Sequence, residues 1–575
     1  MTDKRKRPLR IVAGIASLAI LASACGSDKK SGDDNPTTAP AASTTSSVEV
    51  PTGGTLTIGA EQEPDCFDWI GSCGGSSWGY WMAGVQTTPA ALTPEKQADG
   101  TYQYVASNLL TGEPVLETDP VQKVTYEINP DAVWSDGVAI TCDDFEYTWD
   151  QVANGEDVYD PTGYTDIEKV DCTDPSSPVV VWKKGAVYSG WKQLFGAGYG
   201  VWPSHLLKGK DRNAETKDGY DWSGGPWLAK WTKGDNVTLT PNDKYWGTKP
   251  KLEKVVFKIQ SDTAAQFQSF KSGQVQAIYP QPQLDVIDAI GAGIPKSKSV
   301  VNAQTGSLEA LWINTSRAPL DSVEVRQALA YSIDRDTIVK QLFGKVGVEK
   351  AANSLNPFIL AEFSDQESFA GYKLDLAKAE ELLTGEGWAK GSDGFYAKDG
   401  KTLGFEIKTT EGNKRRQTTL IALQQVLKQA GFDVKITFRK AGDLFGTDGP
   451  NGDFDVALYA QVLTAITPGL CGQFCTDSIP TAANGSTGNN WQRFSDPDVD
   501  EQLEIIESSL DADKQKAAAK AADKLLAENM ASLPLDPLPN IIIWSETVIG
   551  PIGDQAVLGP FWNLNEWGCT GGKCA

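Results

Sequence analysis

From Gly53 onward the chain alternates between two periodicities. Gly53-Gly54-Thr55-Leu56-Thr57-Ile58-Gly59 puts an apolar side chain at every second position after a glycine turn, the pattern of a strand. Further strands are predicted over 124–128, 179–182, 237–240, 255–259, 311–314, 434–438 and 454–458. Between them, apolar residues recur every three or four positions, bracketed by capping residues. Thr141 precedes an acidic first turn over 143–150, and a helix over 262–272 stops at Gly273. Ser322, Asp334 and Asp375 open helices over 323–333, 335–343 and 376–383, and Gly431 closes one over 415–430. Asp496-Pro497, a cap followed by proline in the first turn, starts a helix to Leu510, and a second follows over 511–530. Strands and helices alternating throughout place the chain in the α/β class.

The first 25 residues break this pattern. Lys4, Arg5, Lys6, Arg7 and Arg10 precede an apolar run over 11–21. That run is short of the roughly 20 residues needed to cross a bilayer, so 1–24 reads as a signal peptide. Leu21-Ala22-Ser23-Ala24-Cys25 resembles a bacterial lipobox, in which the cysteine is lipidated and becomes the new N-terminus. The stretch 25–52 is rich in Ser, Thr, Ala and Pro without an aromatic residue, the composition of a flexible tether behind the lipidated Cys25. The expected location is extracytoplasmic, on the outer face of the plasma membrane.

Charge and composition narrow the chemistry. The 575 residues carry a formal charge of −23, and removing the leader, with five basic residues and Asp3, leaves −27. That sign argues against a nucleic-acid partner. A single histidine, His205, rules out sites that need two, and reads as a surface or loop-capping side chain. Apart from Cys25 there are eight cysteines, an even number that suits disulfides in an exported chain. Of the 105 possible pairings, the simplest is local: Cys66 with Cys73, Cys142 with Cys172, Cys471 with Cys475, Cys569 with Cys574. A four-thiolate metal or redox site from Cys471, Cys475, Cys569 and Cys574 is the rival reading, although CxxC spacing is missing. No metal or other cofactor is expected.

Several motifs in fixed order carry a resemblance. The opening strand is followed by Glu63-Pro64 and Asp68; then come Trp134-Ser-Asp-Gly137 with Asp143-Asp-Phe145, and Trp202-Pro-Ser-His-Leu-Leu207. Gly224-Gly-Pro-Trp227, Trp231, Asn242, Tyr245-Trp-Gly247 and Phe257-Lys258 follow. Next are Asn314, Pro319-Leu320, Val325-Arg-Gln-Ala-Leu-Ala-Tyr331 with Asp334-Arg335, Gly387-Trp388 and Asp498-Val-Asp500. Together they resemble the extracytoplasmic substrate-binding lipoproteins of peptide-type ABC importers, solute-binding protein family 5, from about residue 53 to about residue 550. Taken on their own chemistry, Gly137 and Gly247 fall where turns call for positive φ, Trp134 and Tyr245 read as core, and Arg326 as a structural partner for a buried carboxylate.

The resemblance implies a bilobal periplasmic-binding-protein fold with an extra inserted domain in the first lobe and a two-strand hinge. Lobe I would comprise 53–83, 200–310 and 533–575, the inserted domain 84–199, and lobe III 311–532. A small solute or oligopeptide would be captured between the lobes by a monomer and delivered to ABC permease subunits, without chemistry. The implied ligand residues are Cys66, Phe67, Trp78, Tyr80 and Trp81 from the first lobe. From the strand of the other lobe they are Tyr459, Ala460, Gln461, Val462, Leu463 and Thr464. In peptide-binding members that strand carries a Trp and then an Asp that grips the peptide ammonium. Gln461 and Thr464 stand at those two positions, so the implied ammonium grip is missing there. Alternatives are a member that binds a non-peptide ligand such as an oligosaccharide or glycolipid, one that acts in sensing, or a secreted two-carboxylate hydrolase. The last would show two buried carboxylates about 5–10 Å apart with one pKa raised.

Overall fold

The computed structural model describes residues 50–97, 102–196, 198–302, 305–462, 470–553 and 558–574. Cys25, Leu463 and Thr464 lie outside them.

Two main sheets organise the fold. The larger has seven strands. The opening strand Thr55–Ala60 lies near its centre, between Lys254–Ile259 and Ala277–Ile278, parallel to both. Asn236–Pro241 and Trp227–Thr232 extend one side, while Asn540–Ser545 and Ser297–Asn302 extend the other. The smaller sheet has five strands, in the order Asp433–Arg439, Gly404–Thr410, Val456–Val462, Ser307–Ile313, Ser532–Pro537. A four-stranded sheet within 115–182 stands apart from both, with the helix Cys142–Ala153 against it.

Local chemistry accounts for the helices. Asp262, Ser322, Asp334, Asp375 and Asp496 each accept a backbone N–H in the first turn of the helix they precede. Thr141 and Asp144 form a reciprocal capping box. Gly431 ends the helix Lys414–Ala430 in the left-handed conformation that costs glycine least. Apolar faces then meet the sheets: Leu420, Leu423 and Leu427 are buried with Leu311, Trp312 and Val456 in one core, while Leu56, Ile58, Trp227 and Phe257 anchor the other.

The chain passes between the two sheets twice. One passage runs from Ser297–Asn302 to Ser307–Ile313, and the other from Ser532–Pro537 through Leu538 and Pro539 to Asn540–Ser545. The passages are bonded to each other: Thr305 Oγ1 donates to the Leu538 carbonyl at 2.8 Å, and the Leu538 N–H donates to the Ser307 carbonyl at 3.1 Å.

Three residues differ from the expectations above. Arg326 meets no carboxylate among the described residues; its guanidinium donates to the carbonyls of Asn529, Met530, Leu320 and Asp321, clamping the C-terminal end of the helix Ala512–Glu528. Trp134 is fully buried, but Tyr245 is only half-buried and its hydroxyl accepts from Asn108. Gly137 has φ +90° as expected, whereas Gly247 has no positive φ: glycine is required there because a Cβ would run into Asn108 and Tyr245. His205 pairs with Asp136 at 2.8 Å near the surface.

Candidate functional site

A cavity of about 340 Å³ is lined by residues from elements of both sheets and from the crossing segments. Both halves of the chain wall it. Trp69, Trp78, Tyr80, Trp81 and Tyr279 come from the larger-sheet side; Tyr159, Asp160, Tyr164 and Tyr188 come from the region of the four-stranded sheet. The smaller-sheet side contributes Tyr459, Ala460, Gln461, Val462, Gln473, Asn489, Trp491 and Glu507.

The aromatic wall is held from behind. Asp68 is buried and takes a two-pronged hydrogen bond from the Arg212 Nε, 2.9 and 3.0 Å to its two oxygens, plus one from Asn213. This pins the loop closed by the Cys66–Cys73 disulfide, and Trp69 donates from its indole to the Tyr220 hydroxyl at 2.8 Å. Trp78 and Trp81 both pack against Tyr279, with centroids 6.0 and 5.7 Å away. Of the residues expected at a ligand, Trp78, Tyr80, Trp81, Tyr459, Ala460, Gln461 and Val462 line this cavity. Cys66 and Phe67 sit behind it: Cys66 is half of the disulfide, and Phe67 is stacked on Trp231 at 5.5 Å.

The opposite wall comes from the strand Val456–Val462. It is paired antiparallel with Ser307–Ile313 along its whole length, but its parallel partner reaches only as far as Lys408↔Ala457. The backbone of 459–462 therefore has one edge without a ladder partner among the described residues. Beside it, the one-turn helix Cys471–Phe474, closed by the Cys471–Cys475 disulfide with Cα atoms 4.6 Å apart, presents Gly472 and Gln473 to the cavity. All four local cysteine pairs are at bonding distance, so none of these thiols is free to hold a metal.

A buried charge network forms the floor. Glu309, on the crossing strand Ser307–Ile313, accepts from Arg415 at 2.9 Å and from Arg416 at 2.8 Å. Arg415 also donates to Gln281, which donates to Glu61 at 2.6 Å; Asn413 donates to Glu61 at 3.1 Å. Glu61 and Gln281 belong to the larger-sheet side and Asn413, Arg415 and Arg416 to the smaller-sheet side, so the network joins them. Burial acts to raise Glu309, but the two guanidiniums override it and hold the carboxyl at about 2. Glu61 is raised by burial despite Arg416, and burial pushes Asp536, 3.6 Å from Arg415, up to about 7. Burial also lifts Glu507 well above the usual carboxylate range, reinforced by Asp160, Asp166 and Glu504. Asp160 and Glu507 thus supply two carboxyl groups in one cavity.

The two walls touch across the cavity rim. The Tyr159 hydroxyl bonds the side chains of Gln461 and Asn489, and the Ser189 hydroxyl donates to the Ile506 carbonyl at 2.7 Å. Gly488 donates to the Val158 carbonyl at 3.3 Å.

Known proteins share this fold. The oligopeptide-binding protein OppA of Mycobacterium tuberculosis is 26% identical over 472 residues, covering 77% of this chain and 74% of that one. The fold matches the structure of the oligopeptide-binding protein AppA of Bacillus subtilis in complex with a nonapeptide, with TM-score 0.78, 20% identity, and 91% and 100% of the two chains covered. It also matches a periplasmic EDTA-binding protein, EppA, with TM-score 0.76, 23% identity, and 92% and 98% covered. The family model described as "Bacterial extracellular solute-binding proteins, family 5 Middle" matches residues 108–469. On that match, the chain belongs to the family 5 bacterial extracellular solute-binding proteins and is a substrate-binding protein of the periplasmic-binding-protein fold.

Proposed function

We propose that the chain captures an oligopeptide, or a solute of similar size, in the cavity between its two sheets and hands it to an ABC permease in the membrane. The observation that carries this reading is the cavity wall: residues from both halves surround it, and among the described residues the chain passes between the two sheets twice, through short segments bonded to each other. The halves correspond to lobes I and III and the region over 84–199 to an inserted domain, with hinge rotation at the segments around Thr305 and Leu538–Pro539 opening the cavity. Ligand bound to both walls then favours the closed form by its differential contacts. The open edge of 459–462 supports a peptide lying extended beside it, donating and accepting backbone hydrogen bonds as an added strand does. Cys25 is read as the lipidated residue and 26–52 as the tether that holds a monomer at the outer membrane face.

The aromatic wall favours one second reading, a flat or amphipathic non-peptide solute stacked on Trp78 and Trp81. Native mass spectrometry of the purified mature protein separates the two. A co-purified mass series of short peptides is expected; a single non-peptide mass would replace the first reading with the second. Conversion of the bound compound by the pure protein would sink both and favour the two-carboxylate hydrolase.

A further inference from the structure

The two ends of the cavity differ in how their carboxyl groups are partnered. At the floor, Arg415 and Arg416 are taken up by Glu309. At the other end, neither Asp160 nor Glu507 is in an ion pair with any described residue, although both line the cavity. Asp160 Oδ1 accepts the Thr162 backbone N–H at 3.0 Å, which orients the carboxylate without neutralising it. Gly472 closes against it, since a Cβ there would stand 2.7 Å from Asp160 Oδ2. Two neighbouring side chains are buried with a polar atom left over. Gln473, 3% exposed and adjacent to Gly472, has an unpartnered Oε1; Trp491, 3% exposed and packed edge-on against Tyr159, has an unpartnered Nε1. Both residues line the same cavity. A buried acceptor and a buried donor without partners are costly unless a ligand supplies them.

We propose that Asp160, Glu507 and Gln473 hold a positively charged amino group of the ligand, while the Trp491 indole N–H donates to an acceptor beside it. The chemistry is that of an ammonium next to a carbonyl, supplied either by a free peptide N-terminus or by a basic side chain. This assignment rests on the capture reading above and moves the ammonium grip away from the motif position held by Thr464 in the sequence.

The test uses the mature protein, equilibrated with three pentapeptide pools of random sequence and read by native mass spectrometry. One pool has free N-termini without Lys or Arg, one is the same pool N-acetylated, and one is N-acetylated with one Lys per peptide. Retention of the free pool at least tenfold over the acetylated pool is expected, and Asp160→Asn with Glu507→Gln should abolish that preference. Preferential retention of the acetylated Lys pool supports the same pair with a side-chain ammonium as the source. Equal retention of all three pools overturns the assignment but leaves peptide capture standing. Retention of none overturns peptide capture itself, and the assignment with it. Because the acetylation comparison needs only the wild-type chain, poor folding of the double variant does not blunt the result.

Discussion

Glu309 accepts hydrogen bonds from two consecutive arginines, Arg415 and Arg416, and all three side chains are buried. Both cations sit on the first turn of one helix, and the carboxylate sits on a strand that has just crossed from the other sheet. Removing one member of such a set leaves buried charge uncompensated, which costs far more than the intact pair contributes. Glu309→Gln is therefore expected to lower stability by about 3–5 kcal/mol in chemical denaturation. A loss under about 1 kcal/mol would mean that the arginines find other partners.

Asp65 makes stability depend on pH. Burial pushes its carboxyl up to about 7, with Glu63 and Asp443 adding to the shift, and Oδ2 has no hydrogen-bond partner. A folded-state value above the unfolded one means the native chain keeps a proton that the unfolded chain has lost. Its contribution is fully present below about pH 4 and is lost as pH rises through about 7. Asp65→Asn should flatten that slope and raise stability at pH 8 by about 1–3 kcal/mol, measured by denaturation at a series of pH values. An unchanged slope would assign it to Asp523 and Asp536, whose carboxyls burial also raises to about 7.

The disulfides separate stability from affinity. Cys142–Cys172 spans 30 positions, whereas Cys471–Cys475 spans four and closes the turn that presents Gly472 and Gln473 to the cavity. In the chain-entropy model the longer loop contributes roughly 3–4 kcal/mol and the shorter roughly 2 kcal/mol. Replacing both cysteines of the first pair by serine should lower the melting temperature more. The same change in the second pair should weaken ligand binding more, by roughly tenfold or about 1.4 kcal/mol. Equal affinity losses in calorimetric titrations would count against the short disulfide as a positioning device.

Four tryptophans, Trp69, Trp78, Trp81 and Trp491, stand in the cavity wall. Ligand entry should change intrinsic fluorescence, with a smaller change in Trp491→Phe, which keeps a ring and loses the unpartnered N–H. A ligand-induced change of the same size in the variant would place the ligand away from Trp491.

The helices and strands were legible along the chain because their signals are local. A cap binds a backbone N–H two or three residues on, so Asp262, Ser322, Asp334, Asp375 and Asp496 announce their helices without tertiary help. The apolar alternation of Thr55–Ala60 and Lys254–Ile259 likewise needs only the period of a strand. The motif order pointed to the family for the same reason, since each motif is a short stretch of chain.

What the chain could not announce are partners brought from far apart. Glu61, Glu309 and Arg416 lie more than a hundred positions from one another along the chain, and nothing near any of them marks it as charged and buried. Arg326 looked like half of an ion pair because a guanidinium prefers a carboxylate, but the fold offered it a helix end with free carbonyls instead. Asp160, Gln473, Trp491 and Glu507 belong to no shared motif and become one cavity corner only when the two sheets face each other. Sequence alone determined the elements and the kind of protein; packing of distant segments decided where the charge, the unpaired polar atoms and the open strand edge meet. The reason is range: caps and periodicity act within a turn, while burial and Coulomb interactions depend on which segments the finished fold brings together.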